Sequence, residues 1–219
     1  MEKMSKKTQV TLQGAAGQIE ALIEEGLADG PFNAHGYVAV ICHPHPLYGG
    51  TMGNKVVSTL ARIYRELGIT SLRFNFRGVG ASAGEHDEAR GEVDDLCRVS
   101  EWLLAEHPGS QLLLAGFSFG SAIVAAASER MTVAHMILVA PPVMRYSYAP
   151  QGSFACPVTM VLGGQDELVD IESVLEWREA LDSRIEPIVI SEASHFFHGQ
   201  LNSLREKLGA QLSASLTKV

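Results

Sequence analysis

Apolar residues recur along the chain in two alternating periods. Tyr37 to Cys42, Leu112 to Ala115, His135 to Ala140 and Val158 to Leu162 are short, nearly continuous apolar runs, each bounded by Gly, Pro or polar residues. Such runs predict strands buried on both faces of a sheet. Leu72, Phe74 and Phe76 alternate with Ser71, Arg73 and Asn75 and predict another strand, and Ile185 to Ile190 a further one. Between them the period changes to that of a helix. Val56, Val57, Leu60, Ile63, Tyr64 and Leu67 follow Asn54 at helical spacing, and Gly68 stands where a helix commonly ends. Val93, Leu96, Cys97, Val99, Ser100, Leu103 and Leu104 mark the inner side of a second helix, from about Glu92 to the Pro108-Gly109 stop. Ser121 to Ala125 opens a third helix and Ile171 to Leu181 forms a fourth. Leu201, Leu204, Leu208, Leu212 and Leu216 stripe one face of a fifth.

Before Tyr37 the pattern differs. Val10 to Gln13 and Gln18 to Glu24 flank the Gly-rich break Gly14-Ala15-Ala16-Gly17, which predicts an antiparallel hairpin. From residue 37 onward strands alternate with helices, so the predicted fold is α/β, a mostly parallel central sheet with helices on both faces. There is no internal repeat and no low-complexity linker, and residues 1–219 are expected to form a single domain.

Composition narrows the partners. With 25 acidic against 17 basic residues the formal charge is −8, and no Lys/Arg cluster offers a surface for phosphates, so neither nucleic acid nor an anionic membrane is an expected partner. The first residues lack an apolar stretch of the secretory kind, no run is long enough to span a bilayer, and a cytoplasmic location is expected. Cys42, Cys97 and Cys156 each sit singly in apolar surroundings and read as reduced, buried thiols.

One apolar run ends in chemistry. Leu112-Leu113-Leu114-Ala115 breaks into Gly116-Phe117-Ser118-Phe119-Gly120 and continues as a helix. A strand, sharp turn and helix holds Ser118 Oγ clear of the backbone at a helix N-terminus, where free N–H groups and the helix dipole favour a developing anion. Glycines at 116 and 120 leave room for neighbouring backbone. A serine hydroxyl is a weak nucleophile unless a base takes its proton and a carboxylate orients that base. His195, directly after a strand, is the candidate base, and His198, in the first turn of the following helix, the alternative. Asp166 follows a strand and two glycines and is the candidate acid. Glu167 is the alternative, and Asp170 is better read as the N-cap ahead of Ile171. Ser118, Asp166, His195 and the loops His43 to Gly50 and Arg77 to Gly84 all fall at the carboxyl ends of predicted strands, where α/β sheets bind ligands.

These features resemble the α/β-hydrolase superfamily, and within it small lidless serine esterase-like members with a His-Pro-His-Pro…Gly-Gly loop, here His43 to Gly50, and a Phe-Arg-Gly-Val-Gly loop, here from Phe76. The order Ser118…Asp166…His195 matches that topology. The resemblance implies an α/β-hydrolase fold and hydrolysis of a small-molecule ester or related acyl bond without a cofactor, with peptidase, thioesterase or acyltransferase activity, or a non-catalytic binding module, as alternatives. It also implies an oxyanion hole made by the Phe119 N–H and, from the first strand's loop, the His45 N–H, with Leu47 or Tyr48 as the fallback because Pro44 and Pro46 carry no N–H. A metal cluster of His43, His45, His195 and His198 lacks an accompanying carboxylate or cysteine at ligand spacing. Gly78-Val79-Gly80-Ala81-Ser82-Ala83 imitates a dinucleotide fingerprint but sits on the wrong strand. Pro141 to Pro157 contains four prolines and Gly152 and leaves no room for a lid domain, so an open cleft is expected, with Tyr48, Phe117 and Met144 as substrate-binding rim residues and Tyr146 as a further candidate. The pattern does not fix an oligomeric state.

Overall fold

A computed structural model describes residues 6–181, 185 and 187–217. Its eight strands form one sheet in the order β1-β2-β4-β3-β5-β6-β7-β8. The hairpin is β1 (Lys7–Gly14) and β2 (Gly17–Glu24), which pairs antiparallel with β4 (Thr70–Phe74). From β4 through β3 (Tyr37–Cys42), β5 (Gln111–Phe117), β6 (His135–Val139) and β7 (Val158–Gly163) to β8 (Ile188–Ile190) every pairing is parallel.

The continuous apolar runs are explained by the pleat. Successive side chains point to opposite faces, so Val38, Val40, Leu112 and Leu114 enter one core while Ala39, Ile41, Leu113 and Ala115 enter the other. Helices α1 (Lys55–Glu66) and α5 (Leu201–Leu216) pack together over the second face, and α2 (Arg90–Glu106) and α3 (Phe119–Ser128) over the first. Helix α4 (Ile171–Glu179) places Val174 beside Met160 and Leu162 of β7. Caps sit where the pattern puts them. Asn54 Oδ1 accepts from the Val56 and Val57 N–H groups, and Asp170 accepts from Ser173 N–H.

Several expectations need correction. The alternating polar residues Ser71, Arg73 and Asn75 are all buried. Strand β4 is interior, and two of these side chains find partners within the protein: Arg73 donates to Ser58 Oγ at 2.7 Å and Met52 O at 3.2 Å, and Asn75, just beyond the strand, donates to Glu20 at 2.7 Å, while Ser71 Oγ has no hydrogen-bond partner among the described residues. Strand β8 spans three residues rather than six, with Ile185 outside it, and Glu186 lies outside the described residues. His198 lies in an exposed turn before α5, not in a helix. Cys42 and Cys97 are buried free thiols, but Cys156 is only half-buried. No helix among the described residues is long and apolar enough to cross a membrane.

Helix α5 closes the sheet behind the loop that carries His195, and Leu204, Leu208 and Leu212 are fully buried on it. Leu208→Ala should therefore cost about 2–5 kcal/mol in chemical denaturation. Glu206→Ala, on the exposed side, should fall within about 0.5 kcal/mol of the parent.

Candidate active site

Strand β5 runs directly into α3, and the turn between them is tight enough to dictate its residues. A side chain at Gly116 would lie 2.2 Å from Gly120 O, and one at Gly120 would lie 2.5 Å from Cys42 O. Only hydrogen fits at either place. Ser118, between them, adopts φ 53° and ψ −120°, a conformation an L-residue holds only when its surroundings enforce it. Its N–H donates to Val139 O at 2.8 Å, and its carbonyl accepts from the Ser121 N–H at 2.9 Å and Oγ at 2.6 Å. Ser121 Oγ in turn hydrogen-bonds Tyr148 Oη at 2.7 Å. Tyr148 belongs to the Pro141–Pro157 segment, which carries neither helix nor strand, and ties that segment to the turn.

Residues from three strand ends converge on Ser118. His195 Nε2 lies 3.0 Å from Ser118 Oγ, and His195 Nδ1 lies 2.8 Å and 3.1 Å from the two Asp166 carboxylate oxygens. A carboxylate only accepts, so Nδ1 carries the proton and donates it to Asp166, which leaves the Nε2 lone pair facing the serine hydroxyl. Asp166 Oδ1 also accepts from the Leu168 and Val169 N–H groups at 2.9 and 2.8 Å, which fixes the carboxylate's direction. The Asp166 and His195 side chains are both 3% exposed. Glu167 is not the acid; its Oε2 accepts from the His195 backbone N–H at 3.1 Å and anchors the loop. The sequence offers no periodic or motif signal for that contact. His198 is exposed and stacks on Phe196, 5.9 Å between ring centroids.

The first strand's loop lies across from the turn. His43 is fully buried; its Nδ1–H donates to Pro44 O at 2.6 Å and its Nε2 accepts from the Phe76 N–H at 3.0 Å, tying the end of β3 to the end of β4. Further along, the Leu47 N–H donates to His45 Nδ1, those of Tyr48 and Gly50 to His45 O, and that of Gly49 to Pro46 O. Leu47 and Tyr48, the fallback oxyanion donors, are thus already committed. The His45 N–H has no partner among the described residues. Phe119 is the first residue of α3, where an N–H has no intrahelical acceptor. The His45 and Phe119 rings lie 4.8 Å apart, with His86 against both at 4.9 and 5.7 Å.

Ser118, His195, His45 and Phe119 share a cavity of about 130 Å³ whose walls include Tyr48, Tyr146, Leu168 and Phe196. The expected rim is corrected at two positions. Phe117 is fully buried as the last residue of β5, facing the His195 ring at 5.1 Å, because the pleat sends it into the core under the loop. Met144 is 76% exposed and lines the neighbouring cavity instead. Leu168 and Phe196 take their place; Phe196 directly follows His195 and Leu168 comes two residues after Asp166, in loops where no periodicity signals orientation. Tyr48 is at the mouth and 83% exposed.

The model of the alpha/beta hydrolase fold family matches residues 40–150, half of the chain. The protein belongs to the α/β-hydrolase family. A relative in Rickettsia prowazekii, itself an uncharacterized protein, is 34% identical over 199 residues, 86% of this α/β hydrolase and 82% of that chain. An alpha-beta serine hydrolase homologue from Coxiella burnetii superposes with a TM-score of 0.89 at 43% identity, covering 97% of this chain and all of that one. A serine hydrolase without a lid from Xanthomonas campestris gives 0.86 at 37%, covering 96% and 95%. The hydrolase described here has the same lidless architecture.

Two buried histidines couple the stability of this hydrolase to pH. Burial lowers His43 from 6.5 to about 4, against an opposing contribution from its hydrogen bond to Pro44, and burial lowers His135 to about 4 as well. Above 6.5 neither the folded nor the unfolded chain protonates them. Between 6.5 and about 4 the unfolded chain takes up protons that the folded one refuses, so stability is lost as pH falls through that window, by about 1.4 kcal/mol per unit and group. Urea unfolding should give a free energy on the order of 4 kcal/mol lower at about pH 5 than at about pH 7. Equal values would show that these imidazoles do not stay neutral.

Proposed function

We propose that the protein is a serine carboxylesterase acting on short acyl esters through Ser118, His195 and Asp166. The observation that carries this reading is the hydrogen-bonded chain from Asp166 through His195 to Ser118 Oγ, opening into a small cavity. His195 Nε2 takes the Ser118 proton as Oγ attacks the acyl carbonyl carbon. The carbonyl electron pair moves onto oxygen, held by the His45 and Phe119 N–H groups, and returns to expel the alcohol, which leaves with the proton from His195. Water, deprotonated by the same nitrogen, then releases the acid and restores the serine. Asp166 stabilises the imidazolium in both halves.

A fluorophosphonate probe should label the parent protein and leave Ser118→Ala unlabelled. Ser118→Ala should also lose hydrolysis of an activated aryl ester while melting at the same temperature or higher, because the strained residue contributes to chemistry rather than stability. His195→Ala should lose about a thousandfold or more in kcat and His198→Ala little. Labelling of Ser118→Ala, or the reverse ranking of the histidines, overturns the assignment. A protein that only binds ligands would not react with the probe at all.

The cavity, about 130 Å³, is well below the roughly 300–1,000 Å³ of pockets for drug-sized ligands. Each methylene removed from water is worth about 0.8 kcal/mol, and only a few can be removed here. Across a series of aryl esters kcat/KM should rise to an acyl chain of about four to six carbons and then level off. A continued climb beyond about ten carbons would contradict a short-chain preference.

A further inference from the structure

Arg145 stands apart from the other arginines. Each of the nine others described lies within 4.0 Å of a carboxylate oxygen. The Arg145 guanidinium has neither an ion pair nor a hydrogen bond among the described residues, although the chain carries a surplus of eight negative charges. It is exposed, and it lines both the cavity that holds Ser118 and an adjoining one of about 220 Å³. No Asp or Glu lines the first, and the one carboxylate of the second, Asp170, is taken by the Ser173 N–H and Oγ. Pro142, Leu168 and Val169 line both cavities together with Arg145 and add apolar surface, which weakens the competition from water for an ion bound there. Its charge reaches the site. Burial and then His86 lower the proton affinity of His45, Glu92 opposes them, and Arg145 adds a smaller lowering.

We propose that Arg145 is the specificity residue of the cleft and that it selects esters bearing a second, free carboxylate a few bonds from the scissile carbonyl. The proposal rests on the reading of this cleft as the substrate site of an esterase. A guanidinium meets a carboxylate through two parallel N–H···O bonds, a match that a lysine lacks and that an alkyl or neutral amide group cannot offer. The scissile carbonyl sits at Ser118 while the free carboxylate is held at the wall of the cavity, so the guanidinium sorts substrates without touching the reacting atoms.

Two pairs of probes test this, one placing the charge on each side of the ester: para-acetoxybenzoate against its methyl ester, and mono-para-nitrophenyl adipate against para-nitrophenyl hexanoate. The parent enzyme should favour the charged member of at least one pair by about tenfold in kcat/KM, mainly through KM, and the preference should shrink with added salt. In Arg145→Gln the ratio of charged to neutral ester should fall to about one, and in Arg145→Glu below one. A merely structural role would lower both members together and leave the ratio unchanged. Equal rates for the charged and neutral esters in both pairs, or a preference that survives Arg145→Gln, would overturn the proposal. Calorimetric titration of Ser118→Ala with monomethyl adipate separates this proposal from the esterase reading, since binding needs no turnover. Binding that vanishes in Ser118→Ala/Arg145→Gln supports the carboxylate site even if the parent hydrolyses no ester, and binding indifferent to Arg145 sinks it.

Discussion

The close approach of the β5–α3 turn to β3 is the constraint on which the site depends. Gly116 and Gly120 let backbone pass backbone at distances no Cβ would permit, and the turn so compressed holds Ser118 at φ 53°. A conformation of that kind costs of order 1–3 kcal/mol and persists only because the surrounding structure over-determines it. The hydrogen bond to Val139 O from one side, the Ser121 hydroxyl with Tyr148 from the other, and two buried sheet faces supply that determination. Orientation of the serine is thus a property of the whole sheet, and the loops after β7 and β8 have only to bring Asp166 and His195 to a point already set.

The histidine loop works on a similar principle with different means. His43 is spent on structure: both of its nitrogens hydrogen-bond backbone, and its burial keeps it neutral. Around it the short 3₁₀ turn Pro46–Tyr48 consumes the loop's later amides, and prolines on either side of His45 remove two more. The His45 N–H is left without a partner among the described residues. A loop rich in proline and histidine therefore offers few free amides, because proline removes donors and the turn occupies others.

Much of this was legible in the residues. Continuous apolar runs gave the bounds of β3, and those of β6 to within the one residue Ala140, because a strand covered on both faces has no polar positions to confuse the period. The order and strand-end placement of Ser118, Asp166 and His195 singled out three side chains that the structure brings within hydrogen-bonding reach. What was not legible lies where the backbone has no period. Phe117 looked like a rim residue beside the serine, yet the pleat buries it; Leu168 and Phe196 line the cavity from irregular loops; and the contacts of Glu167 with the His195 N–H and of Tyr148 with Ser121 join residues 28 and 27 positions apart. The burial of Arg73 was hidden because a polar residue in an alternating strand reads as surface unless its partners, Ser58 and Met52, are known to lie above it.

Ser118 and His195 are separated by 77 positions, and the base enters just before α5. Ser118, His195 and Asp166 are therefore brought together from distant parts of the chain only once the sheet has formed. Helix α5, packed against α1, shares an apolar cluster with the buried Ala193 and Phe197 of the His195 loop, and Glu167 holds the loop's backbone. A cut anywhere between residues 118 and 195 thus separates the serine from the imidazole while leaving both halves of the sheet otherwise intact in sequence.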